Sequence, residues 1–301
     1  MKKLSSRSLI RAGLALVLTA ASTWAAAQTT TFTATYRGGS SSLCGSSYRI
    51  SGAEPSASGR FPVYVHIGGT GESYTSNWAN AAVQAAAAKG FVAASIEYDN
   101  GSFGTCSTIG SRARCIFNPN NSNSAIAKLC ARAKADCSKG IVTGGLSQGS
   151  IISVLSKNYD SRIRASMGQG TGTAYSVYSL SSCMSDGRHT QPGNRLRIIN
   201  GQQDLFVGGT VASAGASGQR VTGAVCASGT QNCLQANGSG WYVVRDSQVR
   251  DGYADHCFMG YGSSDPTNQC GGAQVDANYQ YGTEPWALGP TIDWLKSFVT
   301  P

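Results

Sequence analysis

Gly145-Leu-Ser147-Gln-Gly149 sets a serine between two glycines, each two residues away. A serine hydroxyl becomes a nucleophile when a neighbouring base takes its proton. Held at the tip of a strand–turn–helix, it is exposed for attack on a carbonyl carbon. The bare pattern weighs little: in a 301-residue chain with 38 glycines and 40 serines, about 0.6 chance matches are expected. Its setting carries the weight, because residues 140–143 read as a short buried strand and 148–158 as a helix.

The base must be one of three histidines, and in this arrangement acid and base follow the serine along the chain. His66 precedes it and ends a strand, so it reads as a packing residue. His189 falls in the irregular stretch 168–194. His256 lies after the last strand candidate and before the C-terminal helix, and is the expected base. The acid that orients the imidazole is expected at Asp204, four residues beyond a strand over 196–200, where open α/β sheets place their sites. Asp255 adjoins His256 in sequence but need not face its ring, and Asp246 ends the last strand. Two backbone N–H groups must meet the negative oxygen of the tetrahedral intermediate. Gln148, following the nucleophile, supplies one. The other is expected from the loop His66-Ile-Gly-Gly-Thr-Gly71, at Thr70 with Gly69 next. A phosphate cradle there lacks the Gly-Lys-Ser/Thr ending.

These residues need a scaffold that delivers them to one edge. Strands are expected over 30–36, 61–67, 91–98, 140–143, 163–167, 196–200 and 241–245. Helices are expected over 77–89, 123–136, 148–158 and 286–299. Strands alternating with helices imply βαβ units and a mostly parallel sheet. Stretches 168–194 and 207–239 are rich in Gly, Ser and Ala without a clear period, and read either as excursions packed over a site or as partly mobile loops. Ring-bearing residues Tyr74, Trp78, Tyr175, Tyr178, Trp241, Tyr253 and Phe258 are candidates for a groove wall as well as for the core.

Composition bounds the class. Hydrophobic content of 41% with 13% charged residues excludes a disordered chain, and no apolar run reaches the ~18 residues a membrane helix needs. Lys2, Lys3, Arg7 and Arg11, an apolar stretch too short for an uncleaved anchor and the small residues Ala25 and Ala27 read as a cleaved export signal over 1–27, with one domain expected over 28–301. Removing its four basic residues takes the net charge from +9 to +5. The remaining basic residues are scattered, so nucleic acid is not an expected partner. Ten cysteines in an exported chain read as disulfides rather than a metal site, since no CxxC pair appears. Short loops favour Cys106–Cys115, Cys226–Cys233 and Cys257–Cys270. Cys130 and Cys137 can pair only if a helix ends between them, because within one helix their Cα atoms would stand about 10 Å apart. A bridge at Cys257 would fix His256.

The order of parts, through His66–Gly71, Gly145–Gly149, Gly201–Asp204 and His256, resembles the α/β-hydrolase superfamily over about residues 60–300. The Gly-x-Ser-Gln-Gly turn is similar to those of cutinases and some carboxylesterases. Exported, disulfide-bonded members include polyester depolymerases, cutinases and feruloyl or tannin esterases. The chain departs from cutinase-like proteins in length and in its roughly fifty-residue Asp204–His256 spacing. The resemblance implies a secreted (extracellular or periplasmic) serine esterase acting on small or polymeric esters through Ser147, His256 and Asp204, with no metal or organic cofactor. The alternatives are a polymer- or carbohydrate-binding protein on the same fold, and an exported serine peptidase.

Overall fold

The computed structural model describes residues 28–39, 43–175, 178–261, 269–272 and 274–301, and the export signal expected over 1–27 lies outside them. The Thr-rich stretch that follows forms β1 (Thr29–Tyr36), antiparallel to β2 (Tyr48–Pro55). No strand is expected at β2 from sequence, because Gly52, Glu54 and Pro55 dilute its apolar residues. Next come β3 (Val63–Ile67), α1 (Asn77–Ala88), β4 (Val92–Ile96), α2 (Cys106–Phe117), α3 (Ala125–Cys130), β5 (Ile141–Leu146), α4 (Gln148–Leu155) and β6 (Ile163–Gln169). A small hairpin, β7 (Ala174–Tyr175) and β8 (Tyr178–Ser179), precedes α5 (Ser181–Met184). It leads to β9 (Leu196–Gly201), α6 (Val211–Thr222), β10 (Asn232–Leu234) and β11 (Gly240–Val244). The pair β12 (Gly260–Tyr261) and β13 (Gln274–Val275), then α7 (Ala277–Tyr281) and α8 (Leu288–Lys296), complete the described chain.

Nine strands form one sheet in the order β1-β2-β4-β3-β5-β6-β9-β11-β10. Its centre, from β4 to β11, is parallel, and both edges are antiparallel. Side chains along a strand alternate between faces. Val63, Val65 and Ile67 therefore join the apolar cluster under α2, α3, α4 and α6, while Tyr64 joins the cluster under α1 and α8. With both faces covered, β3, β4 and β5 are buried throughout, which is why they read as near-continuous apolar runs.

Two expected loops contain helices. The stretch after residue 98 holds α2, whose Ile109, Ala113, Ile116 and Phe117 form a buried stripe at helical spacing, obscured by the glycines and cysteines around it. The stretch 207–239 holds α6, which packs through Ala214, Gly215, Ser217 and Gly218. A Cβ on Gly218 would lie 2.6 Å from the Trp241 Cβ, so the helix needs a small-residue face where a period of large apolar residues would normally appear. The helix expected over 123–136 ends at Cys130, and the one expected over 286–299 is shorter, with Trp286 packed in the core ahead of it.

All ten cysteines pair. Cys226–Cys233 and Cys257–Cys270 pair as short loops predict. Cys130–Cys137 forms because α3 ends at Cys130, bringing the Cα atoms to 5.6 Å. Cys106–Cys115 does not form: both lie in α2, nine residues apart on one rigid rod, and they pair outward as Cys106–Cys183 and Cys44–Cys115.

From β3 the chain passes to β4 on one side, then returns to β5 on the other. That reversal opens a crevice beyond the carboxyl ends of β3 and β5, where ligands settle in open α/β sheets.

Candidate active site

Ser147 follows β5 with φ +53° and ψ −122°, the one non-glycine residue with positive φ among the described residues. Such a conformation costs on the order of 1–3 kcal/mol, so the surroundings must enforce it. A Cβ on Gly145 would lie 2.8 Å from the Ile67 carbonyl oxygen, and one on Gly149 would lie 2.6 Å from the Ile67 carbonyl carbon. Both glycines thus let the turn press against the end of β3. The Ser147 N–H donates to the Gln169 carbonyl at 2.9 Å. Serine at a helix N-cap usually spends its hydroxyl on the cap, but that of Ser147 makes no such bond. Ser147 lines a cavity of about 570 Å³.

His256 lines the same cavity. Its Nδ1 is 2.8 Å from Asp204 Oδ2, with both residues buried. The second carboxylate oxygen of Asp204 accepts the Phe206 N–H at 3.0 Å, and Gly209 N–H donates to its carbonyl at 2.7 Å. The imidazole is held on two sides. Phe206 packs with ring centroids 4.6 Å apart, and a Cβ on Gly170, itself at positive φ, would come within 2.6 Å of Nδ1. Gln269 Oε1 accepts the N–H groups of Leu205 and His256, and the Cys257–Cys270 bridge closes beside them.

The two other acids bind amide N–H groups instead of the imidazole. Asp246 accepts from Gln202 Nε2 (3.0 Å), Gln203 Nε2 (2.9 Å) and Ala254 N–H (3.0 Å), which joins the loop of Asp204 to that of His256. Asp255 accepts the Cys257 N–H at 2.8 Å, and burial pushes its carboxyl up to about 7.

The loop after β3 is pinned almost completely. Tyr98 Oη donates to Gly68 O (2.8 Å), Asn100 Nδ2 to Gly69 O (2.8 Å) and Glu72 O (2.7 Å), and Gly71 N–H to Asn100 O (2.8 Å). Glu72 accepts the Gly69 N–H at 2.6 Å, the Ser76 hydroxyl at 2.6 Å and the Trp78 indole N–H. Burial pushes the Glu72 carboxyl above its usual range. Gly69 is therefore committed, while the Thr70 N–H and the Gln148 N–H have no acceptor among the described residues. The Gln148 side chain spans the two segments, donating to Thr70 Oγ1 at 2.8 Å.

Trp78, Tyr175 and Tyr178 line the cavity as expected of groove candidates. Phe103 and Phe206 line it too, although sequence gave no reason to single them out. Phe103 packs 5.0 Å from Tyr175 and 5.1 Å from Tyr178. Trp241 and Phe258 are core residues, Tyr74 faces a smaller neighbouring cavity, and Tyr253 lies outside the wall. Glu72 and Arg112 were also missed; the only cue to Glu72 was a lone carboxylate three residues past a glycine pair. His66 is buried away from the cavity, beside Tyr64 Oη at 3.3 Å, and burial lowers its pKa to about 4. His189 is buried between the carbonyls of Gln191 and Val221. Among the described residues, no cluster of His, Cys, Asp or Glu could hold a metal ion. No helix there is long and apolar enough to cross a membrane.

No family model matches the chain, and no curated protein matches it. Among solved structures, the chain is similar to the hypothetical protein PA2218 of Pseudomonas aeruginosa, at 14% identity and a TM-score of 0.36. That similarity covers 53% of this chain and 46% of the other, so the match spans under half of that protein's length.

Proposed function

We propose that the chain is an exported serine hydrolase of the α/β-hydrolase fold that cleaves carboxylic esters. One observation carries the reading: a buried His256–Asp204 pair at 2.8 Å opens onto the cavity where Ser147 stands on a positive-φ turn. The central parallel strand order, with the serine turn after β5 at the switch point, supports the fold assignment. The five disulfides support export.

In this reading Ser147 Oγ attacks the ester carbonyl carbon while its proton passes to His256 Nε2, and Asp204 holds the Nδ1–H and stabilises the imidazolium. The carbonyl oxygen, now negative, receives the N–H groups of Gln148 and Thr70. The alcohol leaves with the proton from His256, and water, activated by the same imidazole, releases the acid. The first turn of α4 adds the positive end of its dipole at Ser147. Walls of Leu146, Phe103, Tyr175, Tyr178, Phe206 and Trp78 suit an apolar or aromatic group.

Hydrolysis of p-nitrophenyl esters from C2 to C16 tests the reading. We expect turnover by the wild type and a loss of at least about 10³-fold in Ser147→Ala. Turnover of p-nitroanilides without turnover of esters would reject esterase in favour of peptidase chemistry.

A further inference from the structure

Arg112 projects from α2 into the interior and is 2% exposed. Nη1 donates to Gln148 Oε1 and to the Ser102 carbonyl at 3.0 Å, and Nη2 donates to Ser102 Oγ at 3.5 Å and lies 3.5 Å from Asp99 Oδ2. Nε has no partner. Burying a charge is costly even when it is paired, and an apolar side chain of similar size often serves a core at least as well.

The guanidinium has no acceptor to offer. It fixes which end of the Gln148 carboxamide faces it: Oε1 must turn toward Arg112. Nε2 is thereby aimed the other way, at Thr70 Oγ1 (2.8 Å) and Ser102 O (3.1 Å). Gln148 begins α4 and Thr70 sits in the loop after β3, so this side chain ties together the two segments that carry the N–H groups read as the oxyanion donors. Without Arg112 the carboxamide can rotate, and the tie to Thr70 is lost for part of the time.

We propose that Arg112 is a positioning residue that sets the spacing of the oxyanion hole by locking the Gln148 carboxamide against Thr70. The proposal rests on the reading of the Gln148 and Thr70 N–H groups as the oxyanion donors. Losing one such donor outright costs roughly 10²–10³ in kcat. Loosening one costs less, so Arg112→Met is expected to lower kcat about 10- to 100-fold.

The test uses the full chain with p-nitrophenyl butyrate and an alkylboronic acid, whose tetrahedral adduct on Ser147 occupies the oxyanion position. In Arg112→Met we expect kcat and boronate affinity to fall together while KM stays within about twofold, and Arg112→Lys to recover part of both. Thr70→Val removes the acceptor at an exposed position while keeping the backbone N–H. It supplies a folded variant even where Arg112→Met does not fold, and it should show the same split. In a double-mutant cycle the two losses should be strongly non-additive, because both cut one link. Unchanged kcat in Thr70→Val, additive losses, or equal losses in kcat and 1/KM would overturn the proposal while leaving the esterase reading intact. Absence of Ser147-dependent turnover in the wild type would instead overturn that reading, and the proposal with it.

Discussion

Asp255 and His256 are sequence neighbours with opposite duties. The histidine ring faces Asp204, while Asp255 turns back to cap the Cys257 N–H. Burial keeps the Asp255 carboxyl protonated up to about pH 7, whereas an unfolded aspartic acid loses its proton near pH 4. Between those values the folded chain holds more protons, so this residue makes stability fall as pH rises from about 4 to 7, with no further change above. Asp255→Asn keeps an acceptor for the Cys257 N–H and removes the titration. Urea midpoints measured from pH 4 to 8 should show a flatter slope in the variant and higher stability than wild type above pH 7. His66 acts in the opposite direction. Its pKa of about 4 means the buried ring stays neutral while the unfolded ring gains a proton below about 6.5. Stability from this residue is full above that value and is lost as pH falls toward 4, a loss that His66→Gln should lessen in the same titration.

At the scale of elements, packing distance decides signs that propensity alone would get wrong. Alanine is worth up to about 1 kcal/mol over glycine inside a helix. At Gly289, in the first turn of α8, an added Cβ meets nothing within 4 Å beyond its chain neighbours, but Pro290 follows and crowds a Cβ on helical backbone, so Gly289→Ala is expected to bring no gain in melting temperature. At Gly218 of α6 the same change drives a Cβ to 2.6 Å from Trp241. Gly218→Ala should therefore destabilise by about 1–3 kcal/mol, read as a lower thermal midpoint. The same contact explains why α6 was not legible in sequence: a helix that packs through Gly, Ala and Ser leaves no apolar period to find. The central strands were legible because burial on both faces makes them unbroken apolar runs. Ser147, Asp204 and His256 were legible through their positions after strands, and the structure brings Asp204 to His256 while Asp246 accepts from two glutamine side chains and one backbone N–H and Asp255 from backbone. Phe103, Phe206, Glu72 and Arg112 were not, because their roles depend on contacts between segments far apart in the chain.

Across the whole molecule, two of the five disulfides fasten parts that carry the cavity: Cys257–Cys270 lies in its wall and Cys106–Cys183 beside it. Cys106–Cys183 joins α2 to α5, next to the hairpin that brings Tyr175 and Tyr178 against Phe103. Its closed loop of 77 residues corresponds to a stabilisation on the order of 4 kcal/mol by chain entropy. Cys106→Ser with Cys183→Ser should lower the thermal midpoint and raise KM for bulky esters more than it changes kcat for acetate. On the proposed reading, Ser147 beyond the end of β5 is an activated nucleophile, made so by the His256–Asp204 pair. The most direct test is labelling of the intact protein by a fluorophosphonate, with the modified peptide mapped by mass spectrometry. We expect a single adduct on Ser147, slowed by at least about 10³-fold in His256→Ala and Asp204→Asn. No adduct, or an adduct on another serine with Ser147→Ala labelled as fast as wild type, would contradict it.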